Sequence, residues 1–404
     1  MPTIVEKIIK YNQVFPANLR DLKFKAMADN SFGFYRGTCH LFAEDFIKLY
    51  GFKNKVRSWV CGDLHFENFG SYKGENRQVY FDINDFDEAI LGIPEIDVCR
   101  FVTSIIIAGR IMKASPKQIR NTADEIIAIY RDKLRQGKAL LMEKEVAHGV
   151  FRKYFEKLES RNRNLIVKKL TQKNGNKISL KIDGTHFLSI DEKEKGRLYR
   201  ALNLLLKQNT AFRDLEFVDA AFRIAGTGSL GLKRYCVLCF NKLSAKYYFI
   251  DIKQSRRSCY LGFENTPKQP KFGNQSDRII FTESLMEFCP PYLLTPLKIG
   301  NDFFVVRELQ PKDDKMKLED FGSDFTTLSL AAKEMSALIA YAHLRSSGHN
   351  KSDNADKLMT FALKNKWKDE LTKLCFQLAD NNSKYYDEFI GYVSNADKKK
   401  KTAL

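Results

Sequence analysis

A chain of 404 residues that is 44% hydrophobic and carries 31 Phe can bury a sizeable core, which excludes a globally disordered protein and leaves room for a large bilobal domain. The formal net charge of +18 favours polyanionic partners such as nucleotides or phosphorylated metabolites, but no helix-turn-helix, RRM or zinc-finger spacing accompanies it, so nucleic acid is disfavoured. No stretch reaches the roughly 18 apolar residues of a membrane span, and the opening MPTIVEKIIKYNQVF lacks a secretory pattern; the chain reads as soluble and cytoplasmic, and nothing in it speaks against export into a host cell.

In chain order, residues 18–50 read as helical, with Phe24, Met27, Phe42, Phe46 and Leu49 on apolar faces. Two short strands follow, in VRSWVCG and QVYFDIN, each ending in a polar loop. Residues 95–112 read as a buried helix, 117–160 as a continuing amphipathic helix, 161–185 as a loop or short hairpin, and 191–209 as helix. Aromatic and β-branched residues then take over, and LEFVDAAFRIAG, LKRYCVLCF and AKYYFIDIK read as three successive strands. A short helix over 275–288, a strand in FFVVREL and helices from 322 onward complete the pattern, and ADKKKKTAL reads as a disordered basic tail. Cys236 and Cys239 form a C-x-x-C within a strand, where positions three apart face opposite sides, so they read as core cysteines of a reducing compartment rather than as metal ligands. The expected organisation is α+β: residues 1–210 a helical catalytic part, 211–310 a β-rich nucleotide-binding part, 311–395 helices completing the first part, and 396–404 the tail.

The densest chemistry lies in CGDLHFENFG (61–70) and FDINDFDE (81–88). Phosphoryl transfer asks for a carboxylate to orient or deprotonate an acceptor hydroxyl and for hard oxygen ligands to hold Mg²⁺ on the phosphates. Asp63, Asn68 five residues later and Asp85 in a following D-F pair supply these at kinase spacing. Asp82 and Asp87 are further candidate metal ligands. A calcium loop is the competing reading of D-I-N-D-F-D-E, but the central Gly and the closing Glu of an EF-hand are missing.

Gly226, Gly228 and Gly231, with Thr227 and Ser229 between them, form a G-x-G-x-x-G. In a dinucleotide fold these glycines would open a helix, with Asp251 as the ribose-binding carboxylate. The strand-like LKRYCVLCF favours a glycine hairpin over phosphates, with Lys253 on the next strand to pair with them. Glu283, or Glu287, is the candidate acidic partner of Lys253.

G-D-L-H-x-x-N followed by D-F-D, and then by GIPEIDVCRFVTSI, resembles the catalytic segment of aminoglycoside phosphotransferases and choline kinases. That resemblance implies Asp63 as catalytic base, Asn68 and Asp85 as metal ligands, and Asp97 as a buried carboxylate tying down the loop. The glycine segment follows the catalytic loop by about 160 residues, so the implied fold is a bilobal protein-kinase-like one with circularly permuted motif order. The whole set, with Phe34–Gly37 as F-x-R-G and Ala342–Ser346 as A-H-x-R-S, resembles the bacterial DUF2252 family. The family's V-K strand reads Asp251-Ile252-Lys253 here, its R-Q-L-R-D reads Arg307-Glu308-Leu309-Gln310, and position 283 departs from its usual Gln. Arg36, His65, His343 and Arg345 belong to these motifs as candidate phosphate or acceptor contacts, with a structural ion pair as the competing role of Arg36, His343 and Arg345 and a structural loop histidine as that of His65. The expectation is an enzyme using Mg²⁺ or Mn²⁺ and ATP to phosphorylate a hydroxyl acceptor, a small molecule before a protein, with a basic surface suited to an anionic one. Nucleotidyl transfer (AMPylation) and a nucleotide-binding pseudokinase are the alternatives.

Overall fold

The computed structural model describes residues 2–402, except 146, 161–162, 176, 227, 312–313 and 365, and describes 396–402 by their backbone alone. Four helices open the chain, α1 (Ile4–Asn12), α2 (Ala17–Ala28), α3 (Ser31–Gly37) and α4 (Cys39–Leu49). Thr3 and Glu6 form a reciprocal capping box on α1, which satisfies N–H groups that a helix start leaves without partners. Four short strands follow, β1 (Ser58–Val60), β2 (Phe69–Lys73), β3 (Val79–Ile83) and β4 (Ile90–Gly92). They form two antiparallel ribbons, β1–β4 and β2–β3. β2 and β4 escape a sequence reading because each is short and buried along its whole length or nearly so, without alternation.

Helix α5 (Glu95–Ile111) is buried on all sides except near its end, as its nearly continuous apolar composition requires. The amphipathic stretch beyond it is not one helix. α6 (Pro116–Gln136) starts on a Ser115–Gln118 capping box and stops at Gly137 in the left-handed region (φ 65°); α7 (Gly149–Glu159) begins after an irregular link. The basic segment expected to be loop or hairpin contains a helix, α8 (Arg163–Leu170), and then the hairpin β5 (Thr171–Asn174) and β6 (Lys177–Leu180). β7 (Phe187–Leu188) and α9 (Glu192–Gln208) lead into the main sheet.

That sheet continues with β8 (Leu215–Arg223), β9 (Arg234–Asn241) and β10 (Lys246–Gln254), then helix α10 (Gln275–Met286), then β11 (Thr295–Ile299) and β12 (Asp302–Glu308). Its six strands run in the order β11-β12-β10-β9-β8-β7, all antiparallel. One face packs on α9 through Leu198, Leu202, Val237, Cys239, Ile250 and Ile252; the other holds Leu180, Ala221, Cys236, Leu238 and Phe249. Cys236 and Cys239 thus point to opposite faces, and both are free thiols. α11 (Phe325–Arg345), α12 (Ala355–Leu363) and α13 (Lys366–Thr402) close the chain. They return to the first half: α11 packs on α6, and α13 on α5, inside one large core. The tail read as disordered continues α13 to Thr402, in keeping with the fair helix propensity of its Lys and Ala residues. Among the described residues, no helix is long and apolar enough to cross a membrane.

Candidate functional site

The loop after β1 is fixed from beneath by α5. Asp97, fully buried, accepts the N–H groups of Cys61 (2.9 Å) and Gly62 (2.8 Å). His343 of α11 stands 3.2 Å from the same carboxylate and 2.8 Å from the Tyr130 hydroxyl. Gly62 has φ 80°, and a Cβ there would lie 2.4 Å from the Glu88 carbonyl oxygen, so only glycine lets this loop lie against the one that follows β3. The Tyr260 hydroxyl donates to Gly62 O (2.8 Å), which brings the segment after β10 onto the same loop.

Asp63 leaves this turn with one oxygen committed. Arg100, one helical turn after Asp97 and completely buried, donates from Nε to Asp63 Oδ1 (2.9 Å) and holds the Tyr35 carbonyl (2.8 Å). Asp63 Oδ2 is turned toward the glycine segment, 3.8 Å from where a Cβ on Gly228 would stand. Burial pushes the Asp63 carboxyl up to about 6, against the pull of the Arg100 guanidinium. Asn68 donates its side-chain amide to the Asp63 backbone carbonyl (2.6 Å), which leaves the amide oxygen as the group able to face a cation. The backbone N–H of Asn84 donates to Asn68 O (3.0 Å) and ties the two acidic loops together.

Asp85 and Asp87 meet the main sheet through Lys253. The ammonium lies 3.3 Å from both Asp85 oxygens and 2.5 Å from Asp87 Oδ2. Burial works to raise the Asp85 carboxyl, but Lys253, then Lys315, Arg307 and Arg234, hold it well below the ordinary carboxylate range; burial and the neighbouring Asp85 charge push Asp87 the other way. Two carboxylates face the Lys253 ammonium, and Lys315, Arg307 and Arg234 act on Asp85 as well. Asp85 and the Asn68 amide oxygen are hard oxygen donors suited to Mg²⁺, which takes few protein ligands and completes its shell with phosphate and water. Among the described residues, no cluster of three His, Cys, Asp or Glu side chains forms an all-protein metal cage.

The glycine segment lies between the antiparallel strands β8 and β9 and is followed by strands, not by the helix a dinucleotide fold would need. Gly226, Gly228 and Ser229 line a cavity of about 280 Å³ together with Asp63, His65, Asn68, Asp85 and Asp87. Lys23 of α2 donates to the Gly228 carbonyl (3.2 Å), closing the segment from the N-terminal side. Gly231 lies outside this cavity, packed against the Phe15 ring. Thr227 lies outside the described residues.

Several expected roles are corrected. Glu283 pairs with Arg307 (2.7 Å), not with Lys253, because Arg307 projects from the neighbouring strand between them and also reaches the Asn84 carbonyl (3.3 Å). His343 is consumed by Asp97 and Tyr130, and Arg345 by Asp82 (2.6 Å) and the Met286 carbonyl (2.7 Å), so both brace the acidic loops rather than reach into the cavity. Asp82, paired in this way and 1% exposed, stands outside the cavity lining. His65 lines the cavity but accepts the Glu67 N–H (3.2 Å) as a turn cap; burial and the Arg36 charge hold it well below its usual range, hence neutral. Arg36 also lines the cavity and pairs with Glu67.

Sequence reasoning missed basic lining residues such as Lys23, Arg223, Arg234 and Lys315, and Arg100, which holds Asp63 from beneath. A charged residue inside an otherwise apolar stretch was the available signal, at Arg234 in LKRYCVLCF and at Arg100 in VCRFVT. Asp251, the would-be ribose ligand, instead clamps Arg223 (2.8 Å) and Arg234 (2.5 Å).

Over residues 16–392 the chain matches the model of the family described as an uncharacterized protein conserved in bacteria, DUF2252, and it belongs to that family. No curated protein and no solved structure matches it.

Proposed function

We propose that this member of DUF2252 is a phosphotransferase of permuted, bilobal kinase-like fold that moves the γ-phosphoryl group of ATP to a hydroxyl acceptor, a small molecule before a protein. One observation carries the reading. Asp63, Asn68 and Asp85, from the front of the chain, share a cavity with Gly226, Gly228 and Ser229, and Asp85 abuts Lys253. The strand order supports it: a glycine segment between β8 and β9 and a lysine on β10 is the sequence of parts that a kinase nucleotide lobe uses.

In this reading Asp63 is the base. Arg100 holds one of its oxygens and leaves the other facing the glycine segment. A carboxyl raised to about 6 is ionised at neutral pH yet more basic than an ordinary aspartate, which suits it to take a proton. The acceptor oxygen bonds the γ-phosphorus, the bond to the ADP oxygen breaks, and the acceptor proton ends on Asp63. Lys253 is placed to exchange Asp87 for a phosphate oxygen, and backbone N–H groups of the glycine segment donate to the others. Asn68 and Asp85 would hold Mg²⁺ or Mn²⁺, which when bound neutralises charge on the phosphates.

Calorimetry with a non-hydrolysable ATP analogue tests this. Binding that requires Mg²⁺ and disappears in Asp85→Asn is expected, and absence of any Mg²⁺-dependent binding sinks the proposal. Mass spectrometry of acceptors then identifies the transferred group, a gain of about 80 Da for phosphoryl against about 329 Da for nucleotidyl transfer.

A further inference from the structure

The reaction above leaves one wall of the cavity without a task. Arg223 comes from the end of β8, Arg234 from the start of β9, and Lys315 from the segment after β12; all three line the cavity. Both guanidiniums are buried, with side chains 9% and 10% exposed, and they share a single carboxylate, Asp251. Among the described residues Asp251 is the one carboxylate in contact with both guanidiniums, and buried guanidiniums are stabilised by a further anion beside them.

The donors are also aimed. Arg234 spends Nε and Nη2 on Asp251 (2.8 and 2.5 Å). Its remaining Nη1 lies 4.0 Å from where a Cβ on Gly226 would stand, beside the glycine segment. Arg223 is held by Asp251 at 2.8 Å and reaches the Gln310 carbonyl at 3.4 Å. Lys315 has no ion-pair partner among the described residues. Burial pushes its ammonium down to about 7, with Asp85 pulling up and Arg307 and Arg234 pressing down. A wall of fixed guanidinium donors suits a phosphate and not the flat apolar ring of a base.

We infer that Arg223, Arg234 and Lys315 form a second phosphate subsite, separate from the Lys253–Asp85 position, for a phosphate group of the substrate pair. The inference rests on reading the cavity as a phosphotransfer site. The phosphate has two sources. It belongs to the acceptor, which is then a phosphorylated compound; or it is the terminal part of the nucleotide, in which case the α-phosphorus faces Asp63, the acceptor oxygen bonds it, pyrophosphate leaves and the proton passes to Asp63.

The test is calorimetric titration of the full chain with inorganic pyrophosphate in the absence of metal. Wild type binds, and Lys315→Gln weakens binding by about tenfold, the effect of one charge-assisted hydrogen bond. Arg234→Lys, which keeps the charge but loses the fork, weakens it as well. Because Arg234 braces the sheet, the half-buried Lys315 variant decides: pyrophosphate affinity unchanged in Lys315→Gln, or no binding by wild type, overturns the inference. Failure of the function proposed above looks different, with pyrophosphate binding intact and Mg²⁺-dependent analogue binding missing. Repeating the titration with saturating Mg²⁺ and ATP analogue separates the sources. Competition assigns the subsite to the nucleotide's own phosphates, and undiminished binding assigns it to the acceptor.

Discussion

The two walls of the cavity hold ionised groups out of water by opposite means. The acidic wall, Asp63 and Asp85 with Asp87, stands on two short loops whose backbone is pinned: Asp97 accepts two N–H groups of one loop, and Arg278 of α10 donates to the Asp87 and Ala89 carbonyls of the other. The basic wall rests chiefly on the sheet, with Lys315 added from the segment after β12. Arg223 and Arg234 line the cavity from β8 and β9, Lys253 and Arg307 follow on β10 and β12, and register sets Arg234 opposite Lys253 and Asp251 opposite Arg307. The acidic wall is therefore as good as its anchors, and the basic wall as good as the sheet. A loop can be retuned by changing one anchor, whereas a strand slipped by one residue turns every side chain to the other face.

Breaking the acidic wall at Asp63, the proposed base, gives the largest effect. Asp63→Asn is expected to lower turnover by about a thousandfold, the range for a lost general base, while ATP-analogue binding persists. Activity within tenfold of wild type removes Asp63 from the mechanism.

The anchors come next, and they sharpen the contrast. Asp251→Asn leaves two guanidiniums buried with no carboxylate and should destabilise the protein by about 3–5 kcal/mol, the cost of breaking a buried ion pair. Asp97→Asn keeps one acceptor for the two N–H groups and should cost about 1–3 kcal/mol. Denaturant melts of both variants check the order, and equal losses would mean that the two walls do not differ in this way.

The smallest effect is in pH. With the Asp63 carboxyl raised to about 6, the proposed mechanism makes the deprotonated form the active one, so kcat/KM should fall about tenfold per pH unit below that value and level off above it. Arg100→Gln removes the charge that opposes burial, so the limb should move to higher pH. A limb that stays put in this variant would assign it to another group.

The sequence carried the acidic wall almost complete, because its residues fall in two short loops, one after β1 and one after β3, separated by a single strand pair. Asp97 was legible only through the resemblance of GIPEIDVCRFVTSI to a kinase catalytic segment. The glycine segment and Lys253 were legible through strand periodicity. The partner of Lys253 was not: Glu283 was chosen from helix spacing, and only the pairing of β10 with β12 brings Arg307 between them. His343 and Arg345 looked like site residues because they stand in a motif, but α11 lies behind the acidic loops and spends both on bracing them.

The sequence by itself determined the mixed α+β composition, the family and the local chemistry of each loop, since these depend on neighbours along the chain. Tertiary structure decided what faces what: that segments about 160 residues apart share one cavity, that Asp251 serves two arginines, and that a basic wall stands opposite the acidic one. These are matters of strand register and helix docking, set by burial of whole faces, and no local pattern of residues encodes them.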